Sequence, residues 1–409
     1  MVGLALRTAV FVTVVAASTV KRPSSSSGYI AVPLTRDEGL TAYFAELQVG
    51  TPPQKEYLKI DTGSPRYSVL DSRNAVCASA GQSCSEFGTF DNLTSSTCHY
   101  EGGGFVDDLS WVGNGDYLSD TIAMGGVTIE DMYFGYTSRY AFPDHVVGDP
   151  YTILGLSLEC GLAGPTCTDR VSAYMLPELK NSSKINHMAS SIYLGPDDKQ
   201  AANAQMLLGG FYDKAKIDGE LITIPMVDPF NEDLTSGQTN NVNVTAIEVV
   251  LGEGYGANHT LESYGQKDVG VPVLLDTGVA NFYLTDKTVA PIYRAFGNIG
   301  APSPGQQYSV VDCKYADPKR SDGHITVEFG KYGKVTIPLH ALVSQFPDGT
   351  CGAFVTSRGD SVFTFGDPFL RGVYSIFDQE NFSISLGQVK HTAEQNIVPF
   401  PKGGFKPTP

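Results

Sequence analysis

Two aspartates stand in matching surroundings. Asp61 ends the run Leu58-Lys59-Ile60 and is followed by Thr62, Gly63 and Ser64; Asp276 ends Val273-Leu274-Leu275 and is followed by Thr277, Gly278 and Val279. If the two segments meet, their carboxyls share a site of low dielectric, where like charges a few ångströms apart cannot both ionise cheaply. Such a pair holds one proton between two macroscopic pKa values that belong to the pair and not to either residue. Its ionised member can take a proton from water while its protonated member donates to a carbonyl oxygen. That is general acid–base hydrolysis with neither metal nor cofactor. Gly63 and Gly278 are expected to let the backbone turn and bring N–H donors to the carboxylates. Thr62 and Thr277 are expected to bond across the interface, and Ser64 to donate its hydroxyl to Asp61.

The elements that would position this pair repeat. Each Asp-Thr-Gly follows an apolar strand, and each has a second apolar segment downstream carrying a glycine: ILGL with Gly155, and FTFGDPFL with Gly366. Gly155 lies 94 residues after Asp61, and Gly366 lies 90 after Asp276. Two motifs in one order at nearly one spacing imply two similar lobes. The rest of the chain is a series of short apolar runs broken by Gly, Pro, Asn and Asp, the pattern of strands and turns. An all-β, bilobal protein with a cleft between two similar lobes is predicted, with lobes at 40–205 and 206–390 and a polar tail at 391–409. Helices are predicted over 169–179 and over Asp286 to Phe296, with Asp286 as N-cap and Gly297 as stop. The polar stretch 228–243 reads as an exposed loop.

The first residues read as an export signal. Arg7 precedes the nine-residue apolar run Ala9 to Ala17, and small residues around Ala17 offer a cleavage site. Nine apolar residues cannot span a bilayer, and no apolar tail of the kind a lipid anchor needs closes the chain. Residues 1–17 are thus predicted to be a signal peptide and 18–39 a short, pro-like polar segment containing the dibasic Lys21-Arg22. Five N-x-S/T acceptors, at Asn92, Asn181, Asn243, Asn258 and Asn381, agree with a secreted, extracellular protein. So do the seven cysteines, which lack metal-ligand spacing and read as structural disulfides. Cys77 and Cys84 are close in a polar loop, as are Cys160 and Cys167; Cys313 and Cys351 would close a longer one. Cys98 is left over, and the count alone leaves it able to pair with Cys77 or Cys84. A net charge of −16 repels nucleic-acid phosphates and anionic membranes, so neither is an expected partner.

From about residue 40 to 390 the sequence resembles the pepsin-like aspartic peptidases, especially the fungal secreted ones. The segment Ala42 to Ser64 is similar to the family's entry strand, G-T-P-P-Q turn and first active-site loop. Phe90 to Thr97, Gly115 to Gly135, Leu207 to Pro225 and Phe363 to Gly387 also match in order, and Cys313 and Cys351 fall where the family often places a disulfide. The resemblance implies a monomeric acid endopeptidase acting on peptide or protein substrates with no cofactor. Three departures bear on activity. Val279, followed by Ala280, stands where the family has a hydroxyl residue, so Asp276 loses a donor and is expected to be the more readily protonated partner. The family's flap tyrosine is missing: Asp107 and Asp108 fall near its place, and Trp111 and Tyr100 are the alternative lid residues. Ser68 replaces the usual tryptophan after the first motif. These departures leave a second reading open, a catalytically weak or inactive peptidase-like protein that binds peptides or glycans. No serine-hydrolase, zinc-hydrolase or phosphate-loop motif is present.

Overall fold

Alternation builds the first strand. In Ile30–Arg36 the side chains of Ile30, Val32 and Leu34 are buried while Pro33 and Thr35 face out. The computed structural model describes residues 28–408 except 38, 79–83, 107–112, 140–149, 159–172, 197–202, 230–239, 266–268, 304–305, 321 and 363. Ile30–Arg36 lies between strands Gln205–Leu208 and Tyr43–Val49, antiparallel to both. It is therefore part of the folded body, so the segment read as polar and pro-like at 18–39 contains a strand of the large sheet. The period-two pattern was visible in YIAVPLTR, but its short polar flank obscured it.

A 13-stranded sheet runs through the molecule. At one side Ile217–Pro225 pairs with Ser383–Val389, which pairs with Val373–Asp378, which pairs with Ala189–Tyr193. Strands from the two halves of the chain are thereby stitched into one sheet. The later half also forms sheets of five, four and three strands. The result is the all-β, two-lobed architecture expected from the internal repeat.

The repeat is geometric as well as textual. Strand Gln54–Asp61 runs parallel to Ile153–Gly155 with Asp61 opposite Gly155. Strand Val271–Leu275 runs parallel to Thr364–Phe365, and Asp276 N–H donates to Phe365 O at 3.0 Å, one residue before Gly366. Gly155 N–H donates to Arg66 O and Gly366 N–H to Asn281 O, each acceptor five residues beyond its aspartate. The chain crosses so closely here that a Cβ on Gly155 would meet Arg66 O at 2.3 Å, and one on Gly366 would meet Val279 O at 2.0 Å. Only glycine fits at either place. Behind the second loop, Phe282, Phe365 and Phe369 pack with centroids 4.7 to 5.6 Å apart, burying the loop's support.

Several local expectations shift. The later helix spans Asp286–Ala295, but its cap is Thr285, whose hydroxyl accepts from Thr288 N–H. Asp286 is already helical and its carboxylate accepts from Ser357 Oγ. Gly297 follows with φ +90°, the left-handed stop expected. The earlier helix spans Met175–Asn181, beginning after an extended Tyr174 and carrying Pro177 in its first turn, where a missing N–H costs nothing. Of the stretch read as an exposed loop at 228–243, the end is neither loop nor exposed. Asn240 is fully buried, and Asn241–Val244 pairs with Val271–Leu274. The segment 391–409 contributes strand Ile397–Pro399, paired with Phe211–Asp213, and packs Phe400 and Phe405 against Tyr212. Cys77–Cys84 and Cys313–Cys351 are bonded; Cys98 is a free, partly buried thiol pushed up to about 11 by burial and by Asp120. Cys160 and Cys167 lie outside the described residues.

Candidate active site

Asp61 ends strand Gln54–Asp61 and Asp276 follows strand Val271–Leu275, both aspartates are buried, and the loops after them lock together reciprocally. Thr62 N–H donates to Thr277 Oγ1 and Thr277 N–H to Thr62 Oγ1, both at 3.0 Å. The same hydroxyls donate onward, Thr62 Oγ1 to Leu275 O at 2.7 Å and Thr277 Oγ1 to Ile60 O at 3.0 Å. Four bonds thus fix one loop on the other around a local twofold axis. Both threonines are fully buried, so each donor and acceptor would be costly to leave unpaired.

The lock brings the carboxyls within hydrogen-bonding reach of one another. Gly63 N–H donates to Asp61 Oδ1 at 2.8 Å and Gly278 N–H to Asp276 Oδ1 at 2.6 Å. Neither glycine has a positive φ, so the reason for glycine is space and not turn geometry. A Cβ on Gly63 would sit 2.5 Å from Asp276 Oδ2, and one on Gly278 would sit 2.6 Å from Asp61 Cγ. Each glycine makes room for the other lobe's aspartate.

The two sides then differ. Ser64 Oγ donates to Asp61 Oδ2 at 2.7 Å, whereas the corresponding third residue after Asp276 is Val279, which has no hydroxyl. Burial, with the Asp61 charge beside it, holds the Asp276 carboxyl well above the usual carboxylate range, although Gly278 N–H and the Lys59 ammonium pull it down. A carboxyl in that state keeps its proton where an ordinary aspartate has lost it.

Lid and surface candidates are distributed differently. Asp107, Asp108 and Trp111 lie outside the described residues. Tyr100 is 69% exposed on strand His99–Phe105, opposite Leu118, and among the described residues bonds neither aspartate. Ser68 is fully buried, and neighbouring Tyr67 fills the core with its hydroxyl donating to Tyr133 O at 2.6 Å. Among the sequons, Asn181 and Asn258 are exposed and Asn92 and Asn243 partly buried. Asn381 is also partly buried and donates its side-chain amide to Asp378 Oδ2 at 2.8 Å.

Sequence reasoning passed over three neighbours. Asn240 Nδ2 donates to Thr62 O at 2.7 Å, and Gln379 Nε2 donates to Asn240 Oδ1 at 2.8 Å, bracing the first loop from below. Nothing local distinguishes these residues; only tertiary folding brings them there. Lys59 donates to Gly278 O at 2.6 Å. Its signal was readable: a charge between apolar Leu58 and Ile60, two residues from Asp61 and therefore on the same face.

A two-lobed β protein presenting paired Asp-Thr-Gly loops, locked to each other by their threonines, defines the aspartic-type endopeptidase class. The chain belongs to the eukaryotic aspartyl protease family, whose model matches residues 42–389. It is 28% identical over 383 residues to the probable aspartic-type endopeptidase OPSB of Arthroderma benhamiae, covering 88% of this chain and 72% of that one. It is 30% identical over 378 residues to the probable aspartic-type endopeptidase opsB of Aspergillus oryzae, covering 88% and 72%. To the secreted aspartic protease 4 of Candida albicans it is 28% identical over 385 residues, covering 91% and 81%. Among the described residues no helix is long and apolar enough to cross a membrane.

Proposed function

We propose that the protein is a secreted, monomeric acid endopeptidase that hydrolyses peptide bonds with Asp61 and Asp276 as its catalytic pair. The observation that carries this reading is the reciprocal threonine lock, which holds two carboxyls together in unequal surroundings. Asp61, with donors from Gly63 and Ser64, is suited to be the ionised member. It takes a proton from water as the water oxygen bonds to the scissile carbonyl carbon. Asp276, protonated, donates to the carbonyl oxygen. When the tetrahedral intermediate collapses, the C–N bond breaks and the amine leaves with a proton relayed from the pair. Export is supported by the apolar run after Arg7, the bonded cysteines and the name of the Candida relative.

The test is cleavage of a denatured protein near pH 4 with and without pepstatin, on wild type and Asp276→Asn. Pepstatin-sensitive cleavage that falls at least about a thousandfold in the variant is expected. Retention of peptide binding without cleavage in the wild type would favour the peptide-binding reading that Val279 raises.

A further inference from the structure

Beside the pair lies a cavity of about 480 Å³ whose lining includes Lys59, Tyr151, Gly278, Val279, Ala280 and Arg358. Among the described residues that line it there are two cations and no carboxylate, in a chain of net charge −16. The cavity adjoins the reaction centre at Gly278, whose N–H donates to Asp276 and whose carbonyl accepts from Lys59.

Lys59 is a costly residue to place here. It is partly buried on the strand face it shares with Tyr57 and Asp61, opposite the face that carries Leu58 and Ile60 into the core, and an ammonium removed from water needs acceptors. Its Nζ carries three donors but has one bonded acceptor among the described residues, Gly278 O, with the Tyr151 ring face 5.5 Å away. Burial pulls its proton affinity down, yet Tyr151, Asp61, Asp276 and Asp367 together hold it above the ordinary lysine range, so it stays charged. Across the cavity Arg358 stacks its guanidinium on Tyr283 at 4.7 Å. Arg358 is thereby held in place, and its charge adds to that of Lys59. Three carboxyls act on this lysine: Asp61 and Asp276, which share their charge around one proton, and Asp367, which burial holds up at about 7.

We infer that this cavity receives an acidic side chain of the peptide, glutamate or aspartate, near the cleaved bond, with Lys59 as the principal specificity-determining residue and Arg358 as its partner. The inference rests on the peptidase reading above. An entering carboxylate satisfies the open N–H groups of Lys59 with a charge-assisted bond in a partly desolvated site, a stronger contact than an exposed ion pair makes.

The experiment compares cleavage of peptide sets that differ only by Glu, Gln, Leu or Lys at each position flanking the scissile bond. It is run at pH 3 and pH 5.5 on wild type, Lys59→Leu, Lys59→Glu and Arg358→Gln. The readout is the ratio of kcat/KM values within each enzyme, so any change in overall rate cancels. Wild type is expected to prefer Glu over Gln by about tenfold at one position at pH 5.5, and to lose that preference at pH 3, where the substrate carboxyl is protonated. Lys59→Leu should shift the preference to Leu, Lys59→Glu should turn it toward Lys, and Arg358→Gln should weaken it a few-fold. A wild-type enzyme that cleaves these peptides with no acidic preference, or a preference unchanged in Lys59→Leu and Arg358→Gln, overturns the inference while leaving the peptidase reading intact. Absence of cleavage of every peptide by wild type overturns both.

Discussion

At the scale of single residues the pair is unequal, and one side chain distinguishes the two surroundings. Ser64 gives Asp61 a hydroxyl donor at 2.7 Å; Val279, at the equivalent offset from Asp276, gives none. With fewer donors to its ionised form, a buried carboxyl holds its proton more tightly. Val279→Thr should supply the missing donor, stabilise ionised Asp276, and move the alkaline limb of the kcat/KM profile, which reports loss of the Asp276 proton, down by about half to one pH unit. A pH–rate profile on one peptide substrate checks this, and an unmoved limb shows that Val279 does not set the inequality. The glycines teach a related lesson. Gly63 and Gly278 are small because the opposite aspartate occupies the space a Cβ would take, not because the turn demands an unusual φ.

At the scale of elements, strand Ile30–Arg36 is the join between two parts of the large sheet. Its loss would unpair Gln205–Leu208 on one side and Tyr43–Val49 on the other. It would also remove Arg36, whose guanidinium donates to Leu40 O at 2.9 Å and Ser344 Oγ at 3.2 Å. Deleting 30–36 is therefore expected to abolish folding, read as loss of a cooperative thermal transition, because buried Ile30, Val32 and Leu34 each contribute about 1.5–3 kcal/mol. If a leader is removed during maturation, the cut must fall before this strand. The Asn240–Gln379 brace works at the same scale: it ties the first Asp-Thr-Gly loop to chain far beyond it.

At the scale of the whole molecule, buried carboxyls make stability a function of pH. Glu56 is pushed up to about 8 by burial, with only Leu70 N–H favouring its charge. Asp367 is pushed up to about 7 by burial, against the pull of Arg371, Arg36 and Lys59. In the unfolded chain both titrate near their ordinary values of 4.5 and 3.8. Between those values and the folded ones the native state holds protons that the unfolded chain has released. Stability from these groups is thus full below about pH 4 and is lost as pH rises through about 8. Denaturant midpoints should fall steadily from pH 4 to pH 8. Glu56→Gln, which keeps an acceptor for Leu70 N–H but cannot ionise, should remove on the order of 4 kcal/mol of that decline. An equally steep decline in the variant would place the pH sensitivity elsewhere.

Legibility followed the range of the interactions. The paired Asp-Thr-Gly segments, their glycine partners and the all-β, two-lobed plan were readable because strand periodicity and a repeated motif are local signals, and symmetry supplied the long-range contact. Thr62, Thr277 and Ser64 could be assigned bonds on the same ground, and the structure places those bonds. Other assignments needed tertiary structure. Asn240 reads as a loop residue until its amide is seen beneath Thr62, and the polar text of 241–244 conceals a core strand because its partners are far away in sequence. The same holds for the aspartates themselves. Their pairing is expected from the sequence, but the raised proton affinity of Asp276 and the lysine beside it depend on burial and on charges brought together from distant segments.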